Sequence, residues 1–95
     1  MQIKTRFAVA ASLAVVFCAA QAQGVRTEKN ISLELANRIA GETVAACAAN
    51  GYSVAAVVVD RAGVVRVAQR ADNAGPHTVA AAHSKAFTSA SAKAP

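Results

Sequence analysis

The stretch YSVAAVVVDRAGVVRVAQR, residues 52–70, decides the fold because it contains two β-rich runs separated by a short turn. The first run is dominated by valine and has no polar alternation, which is typical of a strand buried on both faces. Residues 60–63, DRAG, favour a turn, since Asp hydrogen-bonds nearby backbone and Gly accepts a positive φ. The second run places Arg66 and Arg70 on one face and valines on the other. So short a connection predicts an antiparallel hairpin.

Helical patterns flank this hairpin on both sides. From an N-cap at Ser32 to a stop signal at residues 50–51, NG, apolar residues recur at helical spacing, which predicts an amphipathic helix. Its expected apolar face comprises Ala36, Ile39, Ala40, Thr43 and Cys47, flanked by Leu35 and Val44. After the hairpin, residues 71–76 form a loop, and Thr78 is placed to cap a second helix that runs to about Ala92.

The order helix, hairpin, helix predicts an α/β chain of the α+β type, in which an antiparallel sheet is flanked by helices. A hairpin alone is marginal in water, and three or more strands or additional cover are usually needed. Residues 23–95 are therefore interpreted as the N-terminal part of a larger domain, truncated to helix, hairpin and helix.

Residues 1–22 have the pattern of a secretory signal peptide. Lys4 and Arg6 form a basic n-region, residues 7–20 an apolar h-region, and residues 20–22, AQA, a small-x-small cleavage site. The apolar run is shorter than the about 20 residues that a membrane span needs. We therefore expect a periplasmic or secreted protein with no stable membrane span after cleavage; a retained N-terminal anchor is the alternative.

Charge and aromatic content argue against nucleic-acid binding. The whole chain has a formal net charge of +5, and loss of Lys4 and Arg6 lowers it to +3 without leaving a basic cluster. Tyr52 and Phe87 are the aromatic residues that remain after residue 22. Single-strand binding normally needs a stacking platform and a basic stripe, so no nucleic-acid partner is expected.

Three motifs in combination carry a resemblance to a known family. VVVDRAG at 57–63, DNAGPHT at 72–78 and HSKAFTSA at 83–90 occur in this order and at these gaps. The chain resembles the GlcG/HbpS family of haem-binding proteins from Ile31 to about Ser91. This resemblance implies a profilin-like domain that binds haem and assembles as a homo-oligomer. Some family members are associated with haem degradation or with redox sensing.

His77 is the candidate metal ligand. It lies at the start of the second helix, within the family-like AGPHT, and a neutral imidazole can ligate haem iron. The alternative is a solvent-exposed histidine that only orders the turn. His83 shares a helix face with Val79 and Phe87, and it is interpreted as a helix-packing residue rather than a ligand.

Lys85, Phe87 and Arg70 are the other candidate cofactor-binding residues. Lys85 resembles a family-typical lysine, and either cation can pair with a haem propionate, although a solvated charged face explains both. Phe87 can line a porphyrin pocket, with core packing as the alternative. Cys47, the one cysteine after residue 22, is interpreted as a small buried hydrophobe, with a reactive or haem-ligating thiol as the alternative.

Three functions follow from these residues. The first is a secreted or periplasmic haem-binding protein that takes part in haem handling or redox sensing. The second is a non-catalytic sensory module of the same fold that binds a partner or another ligand. The third is a haem-degrading enzyme, for which only the resemblance argues, because no Ser-His-Asp spacing, paired acid, phosphate-binding loop or zinc signature occurs.

Overall fold

The computed structural model describes residues 24–95, which form two helices and one hairpin. Helix α1 spans Leu33–Ala49, strand β1 Ala55–Val59, strand β2 Val65–Arg70 and helix α2 Thr78–Ala92. This order confirms the predicted α+β class and is consistent with a profilin-like arrangement. The signal peptide predicted over residues 1–22 lies outside the described residues. No helix within 24–95 is long and apolar enough to cross a membrane.

Helix α1 begins and ends at the residues that the sequence indicates. The Ser32 hydroxyl accepts a hydrogen bond from the backbone N–H three residues later, at 3.1 Å, which satisfies one free donor of the first turn. At the other end Gly51 has a φ of 82°. Its N–H donates to the carbonyl of Ala48 at 3.0 Å, and the N–H of Tyr52 donates to that of Cys47 at 2.9 Å. These two bonds form a Schellman motif.

The face that α1 buries is narrower than the predicted apolar face. Ala36 and Ala40 are fully buried and Cys47 is half-buried, whereas Ile39 and Thr43 are exposed. Helix α1 packs against both strands, and small side chains at the contact allow its backbone to approach the hairpin closely. The alanines therefore occupy the interface, and the larger side chains lie at its margin.

The hairpin is antiparallel, as predicted, with pairs running from Ala55 opposite Arg70 to Val59 opposite Val65. The register shifts between Val58 and Val59, which indicates a bulge. The expectation that β1 is buried on both faces is only partly met, since Ala56 is buried and the other residues of the strand are half-buried. The helices that pack on β1 are rich in alanine, and such short side chains cover valines incompletely.

The turn between the strands uses the predicted chemistry. The Asp60 carboxylate accepts hydrogen bonds from the backbone N–H groups of Ala62 at 2.9 Å and Val64 at 3.0 Å. Gly63 has a φ of 81° and is buried. A carboxylate that binds two turn amides and a glycine in the left-handed region together fix the reversal of the chain.

Helix α2 begins at Thr78, but Thr78 does not cap it, which corrects the sequence expectation. The hydroxyl of Thr78 donates to the carbonyl of Gly75 at 2.6 Å, so it binds back to the loop instead of to the first turn. The N-cap position is taken by His77, whose side chain makes no capping hydrogen bond. The helix ends before Lys93, which has a φ of 53°. Helix α2 packs mainly against β1.

Candidate functional site

The loop of residues 71–77, which joins β2 to α2, carries the candidate ligand and is held at several points. Arg70, at the end of β2, donates from Nη1 to the carbonyl of Ala74 at 2.6 Å. The N–H of Ala74 donates to the carbonyl of Ala71 at 3.0 Å, closing a turn. Ala74 itself is 5% exposed. The loop is therefore anchored to the strand by a charged side chain and to the core by a buried methyl group.

His77 lies on the surface at the end of this loop, and its imidazole is exposed. Pro76 fixes its own φ just before it. Thr78 binds back to the Gly75 carbonyl through its N–H at 3.1 Å as well as through its hydroxyl. Among the hydrogen bonds found within residues 24–95, none involves the His77 imidazole. A fixed backbone thus presents an imidazole whose nitrogens have no partner in the described part of the chain.

Arg70 and His77 stand at the two ends of the same short loop, and the Arg70 guanidinium contacts that loop at the carbonyl of Ala74. Arg70 uses one N–H for the Ala74 carbonyl, and a guanidinium has five N–H donors. The remaining donors are available to an anionic group near the loop. A haem propionate is such a group.

Lys85 and Phe87 lie farther along α2, on different sides of the helix. A rise of 1.5 Å per residue places them roughly 12–15 Å from His77 along the helix axis. Because Lys85 and Phe87 are two positions apart, their side chains point in directions that differ by about 200°. The Phe87 ring packs on Gly63 at the hairpin turn. Lys85 instead lines a hollow of about 460 Å³. The two residues are therefore not gathered with His77 on one face of the chain.

His83 packs edge-on against Phe87, with ring centroids 6.4 Å apart and an interplanar angle of 77°. This contact agrees with the predicted helix-packing role. Both rings nevertheless remain accessible, since His83 is exposed and Phe87 is 51% exposed. Tyr52, at 69% exposed, contributes little to the core.

Two hollows in the described surface are not lined by His77. The larger one lies at the end of α2 and is lined by Ser84, Lys85, Thr88, Ser89, Ala92, Ala94 and Pro95. The smaller one, of about 330 Å³, is lined by Lys29, Asn30, Ile31, Val59, Asp60 and Arg61. The carboxamide oxygen of Asn30 accepts from the backbone N–H of Arg61 at 3.0 Å, and Arg61 Nε donates to the carbonyl of Lys29 at 2.7 Å. Local sequence patterns gave no signal for this contact, which joins residues 31 positions apart.

The donor set around His77 limits the kind of metal that it can bind. Within residues 24–95, no group of three or more His, Cys, Asp or Glu side chains lies close enough together to hold a metal ion. A bare transition-metal ion usually needs three or four protein ligands. Haem iron takes four ligands from its macrocycle and needs only an axial one from the protein. The fold and site thus define an α+β module in which His77, on an anchored loop, presents a surface imidazole of the kind that can serve haem iron.

Comparison with known proteins gives the family. A family model described as haem degrading protein HbpS-like matches residues 31–95, which include both helices and the hairpin. The chain belongs to this HbpS-like family, and its function is haem-related. No curated protein and no solved structure gives a significant match. The resemblance carried by the three sequence motifs is therefore confirmed.

Proposed function

We propose that this chain is a haem-binding protein in which His77 is the axial ligand of the iron, and that it acts in haem handling or redox sensing. Membership of the HbpS-like family supports haem as the ligand. The observation that carries the assignment is the exposed imidazole of His77 on a loop fixed by Arg70, Ala74 and Thr78.

The residues around the loop fit haem in two respects. The imidazole supplies a nitrogen ligand, and the Arg70 guanidinium supplies a cation for a propionate. When bound, haem supplies an iron centre that can change oxidation state. Lys85 and Phe87 remain proposed cofactor-binding residues; they lie roughly 12–15 Å from His77 along the axis of α2 and on different sides of that helix.

We further propose that the protein is exported to the periplasm or secreted and that it forms a homo-oligomer. The basic n-region and the AQA site of residues 20–22 support export. Self-association is supported by the sparse core, whose buried residues within 24–95 are alanines and one glycine. Leu35 and Ile39 are 46% and 43% exposed, and they share a face of α1 because they lie four residues apart. A second copy packed on this face would remove them from water.

The test of the haem site is a haemin titration of the wild-type protein and two histidine variants. We expect His77→Ala to shift or abolish the Soret band and to weaken binding, because it removes the axial nitrogen. His83→Ala is the matched control, since His83 is also an exposed histidine near α2 but packs against Phe87; its spectrum should match the wild type. Free imidazole should restore the wild-type band in His77→Ala.

Other outcomes of the same titration distinguish the remaining functions. If both variants bind haem with the wild-type spectrum, His77 is not the ligand. If the wild-type protein gives no Soret change, the chain is a module for a partner protein or another ligand. A second candidate function, haem degradation, is favoured by the description of the family. It predicts loss of the Soret band over time and release of iron when both a reductant and dioxygen are present, because opening of the macrocycle is an oxidation.

A further inference from the structure

The His77 imidazole packs against Gly75, two residues before it. An ideal Cβ built on Gly75 would lie 2.8 Å from Cε1 and 2.9 Å from Nδ1 of His77. Real Cβ atoms do not approach other heavy atoms so closely, so the ring occupies the space that a side chain at position 75 would take. The same point lies 3.9 Å from Nε2. One edge of the ring therefore covers Gly75, and Nε2 is the nitrogen farther from it.

The need for glycine at position 75 comes from this ring and not from the backbone. The positive-φ glycines of the described chain are Gly51 and Gly63, and Gly75 is outside that region. Alanine can therefore adopt the backbone conformation of Gly75 without strain. What an added methyl group meets is the imidazole.

We infer that Gly75 is a positioning residue for His77, which by lacking a side chain seats the Nδ1–Cε1 edge of the imidazole on the loop and leaves Nε2 for the iron. Thr78 supports the same arrangement, because its N–H and its hydroxyl both bind the Gly75 carbonyl. The ring position beside Gly75 leaves Nε2 as the nitrogen farther from the loop, and the orientation of a metal-binding histidine decides which of its nitrogens ligates. The expected effect of Gly75 on haem binding rests on the proposed function. The contact between Gly75 and the His77 ring does not, because it is present in the haem-free protein.

The experiment compares wild type, Gly75→Ala and a control glycine variant, Gly41→Ala. A Cβ on Gly41 would meet only the Gln69 amide, at 3.7 and 3.9 Å, which is ordinary contact. In haemin titrations we expect Gly75→Ala to bind about 10- to 100-fold more weakly with a shifted Soret band, the range seen when support of a metal ligand is lost. Gly41→Ala should bind as wild type does. Far-UV circular dichroism should be unchanged in both variants.

A measurement on the haem-free protein keeps this inference separate from the proposed function. In the NMR spectrum of the wild type we expect a nuclear Overhauser effect between the Gly75 α-protons and Hε1 of His77. In Gly75→Ala the ring resonances of His77 should shift while those of His83 stay in place. If the wild type lacks this Overhauser effect, the contact does not exist in solution and the inference is overturned, whether or not haem binds.

The binding data then separate the two ideas. If His77→Ala loses haem while Gly75→Ala binds like the wild type, His77 is the ligand and Gly75 has no positioning role. If His77→Ala binds normally but the Overhauser effect is present, the seat for the ring is real and the haem assignment fails. If His77→Ala and Gly75→Ala both lose haem affinity while Gly41→Ala retains it, the result supports both the haem assignment of His77 and the positioning role of Gly75.

Discussion

Gly51 and Gly63 form a natural pair for measuring how firmly Phe87 is held. Both have almost the same backbone angle, with φ of 82° and 81°. A Cβ on Gly51 would meet nothing within 4 Å, whereas a Cβ on Gly63 would lie 2.9 and 3.0 Å from ring carbons of Phe87. Substituting alanine at the two positions therefore adds the same backbone strain, and only the second substitution adds a collision with an aromatic ring.

The expected costs follow from these two terms. Placing a residue with a Cβ in the left-handed region lowers the free energy of unfolding by about 1–2 kcal/mol. This is the full effect that we expect of Gly51→Ala. Gly63→Ala adds an overpacking term of about 1–3 kcal/mol. The lower part of that range applies because Phe87 is 51% exposed and can swing outward. In a Phe87→Ala background the added term should vanish, and the two glycine variants should then cost the same.

The assay is urea unfolding followed by far-UV circular dichroism, with the coupling between Gly63 and Phe87 taken from a double-mutant cycle. A coupling of at least about 1 kcal/mol means that Phe87 is packed on the turn, which favours core packing over a porphyrin-lining role. Equal costs for Gly51→Ala and Gly63→Ala in the wild-type background would refute the contact. The Phe87 ring would then be free to serve a ligand.

Two further predictions concern the whole protein. If residues 1–22 are a signal peptide, mass spectrometry of exported protein should give an N-terminus at Gln23 or within a few residues of it; soluble exported protein that retains Met1 would contradict this. If the exposed apolar face of α1 is covered by a second copy, the midpoint of thermal unfolding should rise with protein concentration, because association stabilises the folded state. A sharp transition that is independent of concentration, in protein that sediments as a monomer, would exclude self-association.

Much of the fold could be predicted from local chemistry, because the signals that start and stop its elements act within a few residues. Ser32 binds an amide three residues away, and Gly51 and Gly63 take the backbone angles that glycine accepts best. The role of Thr78 does not follow from the sequence, since a hydroxyl can both donate and accept, and in the structure it donates to the loop instead of capping the helix. The contact between Asn30 and the backbone of Arg61 spans 31 residues, and no periodic pattern encodes it.

The candidate site could be predicted only as a motif, because neighbours in sequence need not share a face. Lys85 and Phe87 belong to one family-like segment, yet the geometry of a helix sends their side chains in different directions. The role of each residue depends on which parts of the chain or which ligand its side of α2 faces. The spacing of residues in the sequence does not provide this information. His77 and Arg70 are different, since the residues between them form a single anchored loop.

The residues of AGPHT, 74–78, act together on the position of His77. Ala74 is buried, and its carbonyl is held by a guanidinium at 2.6 Å. Gly75 lacks the side chain that would displace the imidazole, and the proline that follows restricts the backbone. Thr78 then binds the Gly75 carbonyl twice as the helix begins. These contacts fix the backbone from which the exposed imidazole of His77 projects, and this fixed presentation is what supports the proposal that His77 is a haem ligand.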